Sequence, residues 1–222
     1  IFQDLIPISY KIKVEIAIAW DVAIIIGKVI LQGGKYGQRT AGTAVDFKKK
    51  DKEKIYSASD KAADGVRREN DAEHAWHMAI MTVLLSEYAN EKIDVLRTVT
   101  MLLIHDIVEI DAGDTYAYDE EGQKTQHERE SRAADRIYPA SGGTEEKTAD
   151  IWEEFEAGET AEAKFAHTMD NIQPAMLNAA NGGVAWKERG ISMSQIMKRN
   201  AHTAEGSQKL WDYAFENFFQ KI

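Results

Sequence analysis

Residues 102–114, LLIHDIVEIDAGD, begin as the interior of an apolar helix and then place His105, Asp106, Glu109, Asp111 and Asp114 within ten positions. Charged side chains are rarely buried unless they are paired or hold a metal. An imidazole beside a carboxylate is a pair of N and O donors of the kind that divalent cations take. Adjacent helical side chains point about 100° apart, so His105 and Asp106 can share only an ion placed off the edge between them. Glu109 follows Asp106 at i+3 and His105 at i+4, which puts it on their flank. The dipeptide alone carries little weight, since a His-Asp pair arises by chance roughly 0.4 times in a chain of this make-up.

Two other positions add weight. His74 falls in the first turn of the preceding helix, in EHAWH, and Asp170 interrupts the apolar face of a long helix in FAHTMDNIQP. Pro174, four residues on, has no N–H for the carbonyl of Asp170, so the helix is expected to bend or open there. His74, His105, Asp106 and Asp170 together supply two imidazoles and two carboxylates from three helices. That set suits one divalent ion (Mn, Co, Fe, Ni, Mg or Zn), with coordination positions left for water and substrate, as in hydrolytic sites. His77 suits a supporting or core position better than a ligand. His127, His167 and His202 lie in charged surroundings and read as surface residues.

The elements that must hold these residues are helical. Asn70 and Glu73 are spaced as a capping box opening a helix to about residue 89, with Ala75, Ala79, Ile80, Val83 and Leu84 as its inner stripe. The next helix places Leu96, Val99, Leu103 and Ile107 on one face and stops near Gly113. An acidic loop with Tyr116, Tyr118 and DEEG leads to a charged helix, TQHERESRAADRIY. A Gly-rich break at 141–143, a short helix around IWEEFEAG and a long one over 160–180 follow, the last with Phe165, Met169, Ile172 and Met176 inward. Gly182 and Gly183 end it, and a final helix starts near Ser207. No strand-rich section follows residue 45, and the class is all-α.

Composition sets the outer limits. The 222 residues fit one domain of 46–222 with an N-terminal extension of 1–45, whose Ile- and Val-rich stretch at 12–31 reads as an amphipathic helix. Its charges at Glu15, Asp21 and Lys28 argue against a membrane span. The chain has no cysteine, which excludes disulfides and thiolate chemistry and fits a cytoplasmic setting. A net charge of −10 argues against a nucleic-acid polymer as partner, because phosphate backbones require a basic face. A small phosphorylated ligand needs only a local positive centre. There is no nucleophile-elbow serine motif and no EF-hand order of oxygen ligands.

His74, the HD pair at 105–106 and Asp170 reproduce the H…HD…D pattern of the HD-domain metal-dependent phosphohydrolases. The stretches RRENDAEHAWH (67–77), MLLIHDIVEIDAGDTYAYD (101–119) and WKERGIS (186–192) resemble the 5′-deoxynucleotidase branch, to which HD domain-containing protein 2 also belongs. The resemblance, over roughly 46–222, implies an HD-domain helical bundle with a metal site between helices, assembled as a homodimer. It implies release of phosphate from (deoxy)nucleoside 5′-monophosphates by attack of a metal-bound water. His74, His105, Asp106 and Asp170 would be the ligands, and Glu109 and Asp114 the catalytic acids. Arg67 matches an arginine just before the first ligand helix. Arg67 or Arg68 would pair with phosphate oxygens, and Trp76 would stack on a base or serve packing. Asn171 stands where relatives usually carry arginine. The alternatives are an HD-type hydrolase of another phosphorylated nucleotide and a non-catalytic metal-binding helical module.

Overall fold

The computed structural model describes residues 69–138 and 148–220. The amphipathic helix expected at 12–31, the glycines of 141–143 and both Arg67 and Arg68 lie outside the described residues. Among the described residues there is no strand. The helices run in the order α1 (Asp71–Leu85), α2 (Val95–Ile104), α3 (Glu109–Ala112), α4 (Glu120–Ile137), α5 (Thr148–Ala157), α6 (Ala161–Ala180), α7 (Val184–Glu188), α8 (Met193–Arg199) and α9 (Gln208–Ala214). Neither α7 nor α8 is among the helices expected from the sequence.

Local chemistry fixes the ends. Asn70 and Glu73 form the reciprocal capping box at the start of α1. Thr160 caps α6 and Ser207 caps α9 through their hydroxyls. The DEEG stretch is the start of α4 rather than loop: Asp119 accepts from the backbone of Glu121 and Gly122, and Glu120 and Glu121 lie in the first turn, where the helix dipole favours acids. Gly113, at φ +81°, ends α3 in a conformation that a residue with a Cβ disfavours.

The core joins α1, α2, α6 and α9. Met78, Met81, Leu85, Met101, Leu102, Phe165, Met169, Ile172 and Leu210 are all at most 1% exposed. Each such side chain contributes on the order of 1.5–3 kcal/mol on removal from water. The inward residues expected for α6 are the observed ones, and α6 runs unbroken through Pro174. A satellite cluster of Val108, Ala133, Ala134 and Trp152 seats α4 and α5 against the turn after α2.

Two faces differ from expectation. On α2 the buried residues are Thr98, Met101 and Leu102, whereas Leu96 is 75% and Leu103 46% exposed. Positions 98, 101, 102 and 105 follow the helical spacing i, i+3, i+4, i+7, so the stripe that meets the core ends at His105. Thr98 tolerates burial because its hydroxyl donates to the Asp94 carbonyl at 2.9 Å. On α1 Ala75 and Ala79 are buried as expected and Ile80 and Leu84 pack at the core's edge, but Met78, Met81 and Leu85 carry the centre of the stripe and Val83 is 56% exposed. The helix expected to run to Gly113 is also divided: His105–Val108 form a 3₁₀ turn between α2 and α3.

Candidate metal centre

The 3₁₀ turn places His105 and Asp106 at the inner end of α2. Such tight turns inside a longer helical run often mark functional positions. His105 is 6% exposed, and its Nδ1 donates to the Leu102 carbonyl at 3.0 Å, which sends Nε2 inward. His74 enters from the first turn of α1 and Asp170 from the middle of α6. One donor atom from each of His74, His105 and Asp170 lies within 4.8 Å of the others. His74 Nε2 is 3.2 Å from Asp170 Oδ1, and His105 Nε2 is 3.8 Å from the same oxygen. Asp106 flanks this cluster, 3.0 Å from His105 Nε2 through Oδ1 and 3.9 Å from His74 Nε2 through Oδ2.

The donor chemistry fits a divalent cation. His105 Nε2 is buried and makes no well-aligned hydrogen bond, although it points among carboxylates. Buried polar atoms normally have a partner, and a cation held by both imidazoles and Asp170 would satisfy it. In the protein alone, protons serve that role. Burial by itself would lower the basicity of His105, but the Asp106 and Asp170 carboxylates outweigh it and push the pKa up to about 10. His74 is likewise raised well above the usual histidine range by Asp170 and Glu69, against burial. Burial would raise Asp170, but its contacts with His105 and His74 hold it well below the ordinary carboxylate value. Asp106 is lowered against burial chiefly by His105.

The centre lines a cavity of about 350 Å³. Eight carboxylate side chains line it, with Arg199 the single guanidinium among the described residues. Glu109 and Asp114 both reach this cavity. Burial, reinforced by the charges of Asp106, Asp114 and Asp71, pushes Glu109 up to about 10. Asp71 rises to about 6 for the same kind of reason, burial first and then Asp106 and Asp114. Asp114 sits on the turn after Gly113. Arg129 of α4 braces that turn by donating to the Ala112 carbonyl at 2.5 Å and to Thr115 Oγ1 at 2.6 Å. Asp111, by contrast, is ion-paired with Arg136 and belongs to the scaffold.

The structure does not bring Trp76 to this cavity. It follows His74 by two residues, about 200° round the helix, and is half-buried on another face. Tyr116, Tyr118 and Trp186 line the cavity instead. Tyr116 packs edge-on to Tyr118 at 5.4 Å and lies under the Arg189 guanidinium at 4.3 Å. His77 is 2% exposed, and burial lowers it to about 4, so it is a neutral residue behind His74. His167 is not a surface residue: it lines the cavity, packs at a tilt against Phe155 at 4.2 Å and shares a hydrogen bond with the Phe155 carbonyl at 2.8 Å. His127 and His202 are exposed as expected. Sequence reasoning missed Glu69, Gln173 and Arg199. Gln173 carried a readable signal, at i+3 from Asp170 as His77 is from His74; Arg199 carried none.

Residues 58–211 match the HD domain model. The chain belongs to the HD domain family. This agrees with the H…HD…D pattern read from the sequence, and the helical architecture fits it. The chain is similar to 5′-deoxynucleotidase HDDC2 of Xenopus laevis, 31% identical over 47% of this chain and 51% of the relative. It is also similar to the human protein of that name, 28% identical over 48% and 52%. The chain thus spans about half the length of the curated relatives it matches. A crystal structure described as a predicted metal-dependent phosphohydrolase, from Magnetospirillum magnetotacticum MS-1, superposes with a TM-score of 0.69. It is 40% identical, covering 78% of this chain and 87% of that one. Among the described residues, no helix is long and apolar enough to cross a membrane.

Proposed function

We propose that this HD domain is a metal-dependent phosphohydrolase that releases phosphate from (deoxy)nucleoside 5′-monophosphates. The observation that carries the reading is the convergence of His74, His105 and Asp170 within 4.8 Å on an acidic cavity, with His105 Nε2 turned inward and lacking an aligned hydrogen-bond partner. The names of the similar proteins support the reaction and substrate class.

His74, His105 and Asp170, with Asp106 beside them, would hold the ion. When bound, a divalent ion polarises a phosphoryl group and lowers the pKa of water. Glu109 keeps its proton at neutral pH in the metal-free protein. A cation nearby would bring its pKa down toward the range where a carboxyl group gives and takes protons efficiently. Glu109 would then orient the attacking water or protonate the leaving 5′-oxygen, with Asp114 as a second acid lining the same cavity. Arg199, whose Nη2 is 3.5 Å from Asp170 Oδ2, is placed to donate to phosphate oxygens. Tyr116 and Tyr118 offer faces on which a base would stack. The exposed Leu96 and Leu103 on α2 support carrying over the homodimer expected from the resemblance, which light scattering would check.

The test is phosphate release from a panel of ribo- and deoxynucleoside 5′-monophosphates, with Mn, Co, Mg or Zn added to stripped protein. Turnover should require the metal. Absence of turnover across the panel with every metal would remove the nucleotidase reading. If metal still binds tightly there, the non-catalytic module would be favoured.

A further inference from the structure

Behind His74 lies a fully buried polar group that the proposed reaction does not use. Gln173, 0% exposed, sits one turn after Asp170 on α6, between Glu69 at 7% and His77 at 2%. Burying an amide costs free energy unless its donors and acceptor are bonded, and here all of them are. Its Nε2 is 2.8 and 2.9 Å from the two Glu69 oxygens and 3.0 Å from His77 Nδ1. Its Oε1 is 2.9 Å from His74 Nδ1.

These contacts leave one assignment of protons. An ionised carboxylate only accepts, so the NH₂ end of Gln173 must face Glu69. One amide nitrogen lies within hydrogen-bond distance of both Glu69 oxygens, which is how an N–H group is shared across a carboxylate. The second amide hydrogen points at His77 Nδ1, which therefore accepts. The remaining end, Oε1, can only accept, so His74 Nδ1 must carry a hydrogen. Once a metal displaces the second proton, the neutral imidazole carries one N–H, so that hydrogen stays on Nδ1 and the lone pair falls on Nε2, the atom that faces Asp170 and Asp106. His105 reaches the same state by a different route, through the backbone carbonyl of Leu102. Only the His74 arrangement depends on side chains.

We propose that Gln173, oriented by the buried Glu69 carboxylate, is a positioning residue that fixes His74 with Nδ1 protonated and Nε2 presented to the metal. One helix then supplies both a ligand, Asp170, and the group that orients a ligand on another helix. This proposal rests on the metal-centre reading above. Outer partners of metal-bound imidazoles hold the ring and its tautomer, and their loss typically weakens metal binding 10–100-fold.

The test measures Mn²⁺ affinity by calorimetry on the full chain, with thermal melting of the metal-free protein as the control for folding. Gln173→Leu should bind Mn²⁺ about 10–100-fold more weakly. The double variant Glu69→Gln with Gln173→Glu exchanges acceptor and donor at unchanged net charge. The carboxylate then placed at position 173 accepts from both His74 and the new amide at position 69. His77 can follow by moving its proton to Nδ1, because its Nε2 has no partner to lose. That variant should recover affinity to within roughly threefold of the parent. Parental affinity in Gln173→Leu would overturn the proposal, as would a folded double variant that stays tenfold or more weaker. If Gln173→Leu does not fold, the double variant decides alone by the same thresholds. A parent chain that binds no Mn²⁺ at all would instead refute the metal-centre reading itself.

Discussion

Replacing Glu109 by glutamine should make the metal-free protein more stable while abolishing its proposed activity. In the folded chain the carboxyl is held up to about 10 by burial and by Asp106, Asp114 and Asp71, against an ordinary value of 4.5. The sign follows from proton counts. Above pH 4.5 the unfolded chain releases this proton, whereas the folded chain keeps it until about pH 10, so folding loses about 1.4 kcal/mol per pH unit across that window. At pH 7 the accumulated cost is roughly 3 kcal/mol, an upper limit because Asp71 shares the same repulsion. Glutamine fills the same space without a proton to lose. The variant's melting temperature should therefore rise by roughly 6–12 °C at pH 7 for a chain of this size. The gain over the parent should grow from pH 5 to pH 8 and vanish near pH 4.5. Thermal melts of stripped parent and variant across that range provide the assay. An unchanged or lowered melting temperature at pH 7, or a gain independent of pH, would refute the electrostatic account. With metal bound the gain should shrink, because the cation removes the repulsion that Glu109 otherwise avoids by staying protonated.

Other outcomes follow from the same geometry. Replacing both His105 and Asp106 by alanine should abolish tight metal retention by the purified protein. Equal metal content in parent and variant would show that the ligand set is wrong. An incoming ion must displace protons from His74 and His105, both raised in the free site. Metal affinity should accordingly rise with pH from about 6 to 9, and calorimetry in buffers of different ionisation enthalpy should show proton release. Binding without proton release would contradict the assigned charge states. Arg199→Ala should lower kcat/KM by about 10–100-fold through loss of a charge-assisted hydrogen bond while leaving Mn²⁺ affinity near that of the parent. Unchanged kcat/KM would remove Arg199 from the substrate site. Gly206→Ala should destabilise by roughly 1–3 kcal/mol in denaturant melts. A Cβ there would lie 2.3 Å from the Lys164 carbonyl oxygen of α6, and a neutral result would mean that the loop yields easily.

The sequence by itself determined the helical class and much of the helix punctuation. The Asn70–Glu73 capping box, Gly113 and the paired glycines after α6 act through contacts a few residues apart, so they can be read locally. It also marked His74, His105, Asp106, Glu109, Asp114 and Asp170 by chemical type. What it did not determine was rotation. Leu96, Val99, Leu103 and Ile107 form as good an apolar stripe as the one containing Thr98, Met101 and Leu102. The tertiary structure chose the second, because that face continues into His105 and meets α1 and α6 across the core. The facing of α1, which turns His74 inward, turned Trp76 away from the cavity, which Tyr116, Tyr118 and Trp186 line instead. Arg199 and the Glu69–Gln173 pair reach the site across 29 or more residues of chain. No local pattern encodes such distances; packing the helices sets them. Residue types named the chemistry that this chain could do. The facing of three helices decided which of those residues meet.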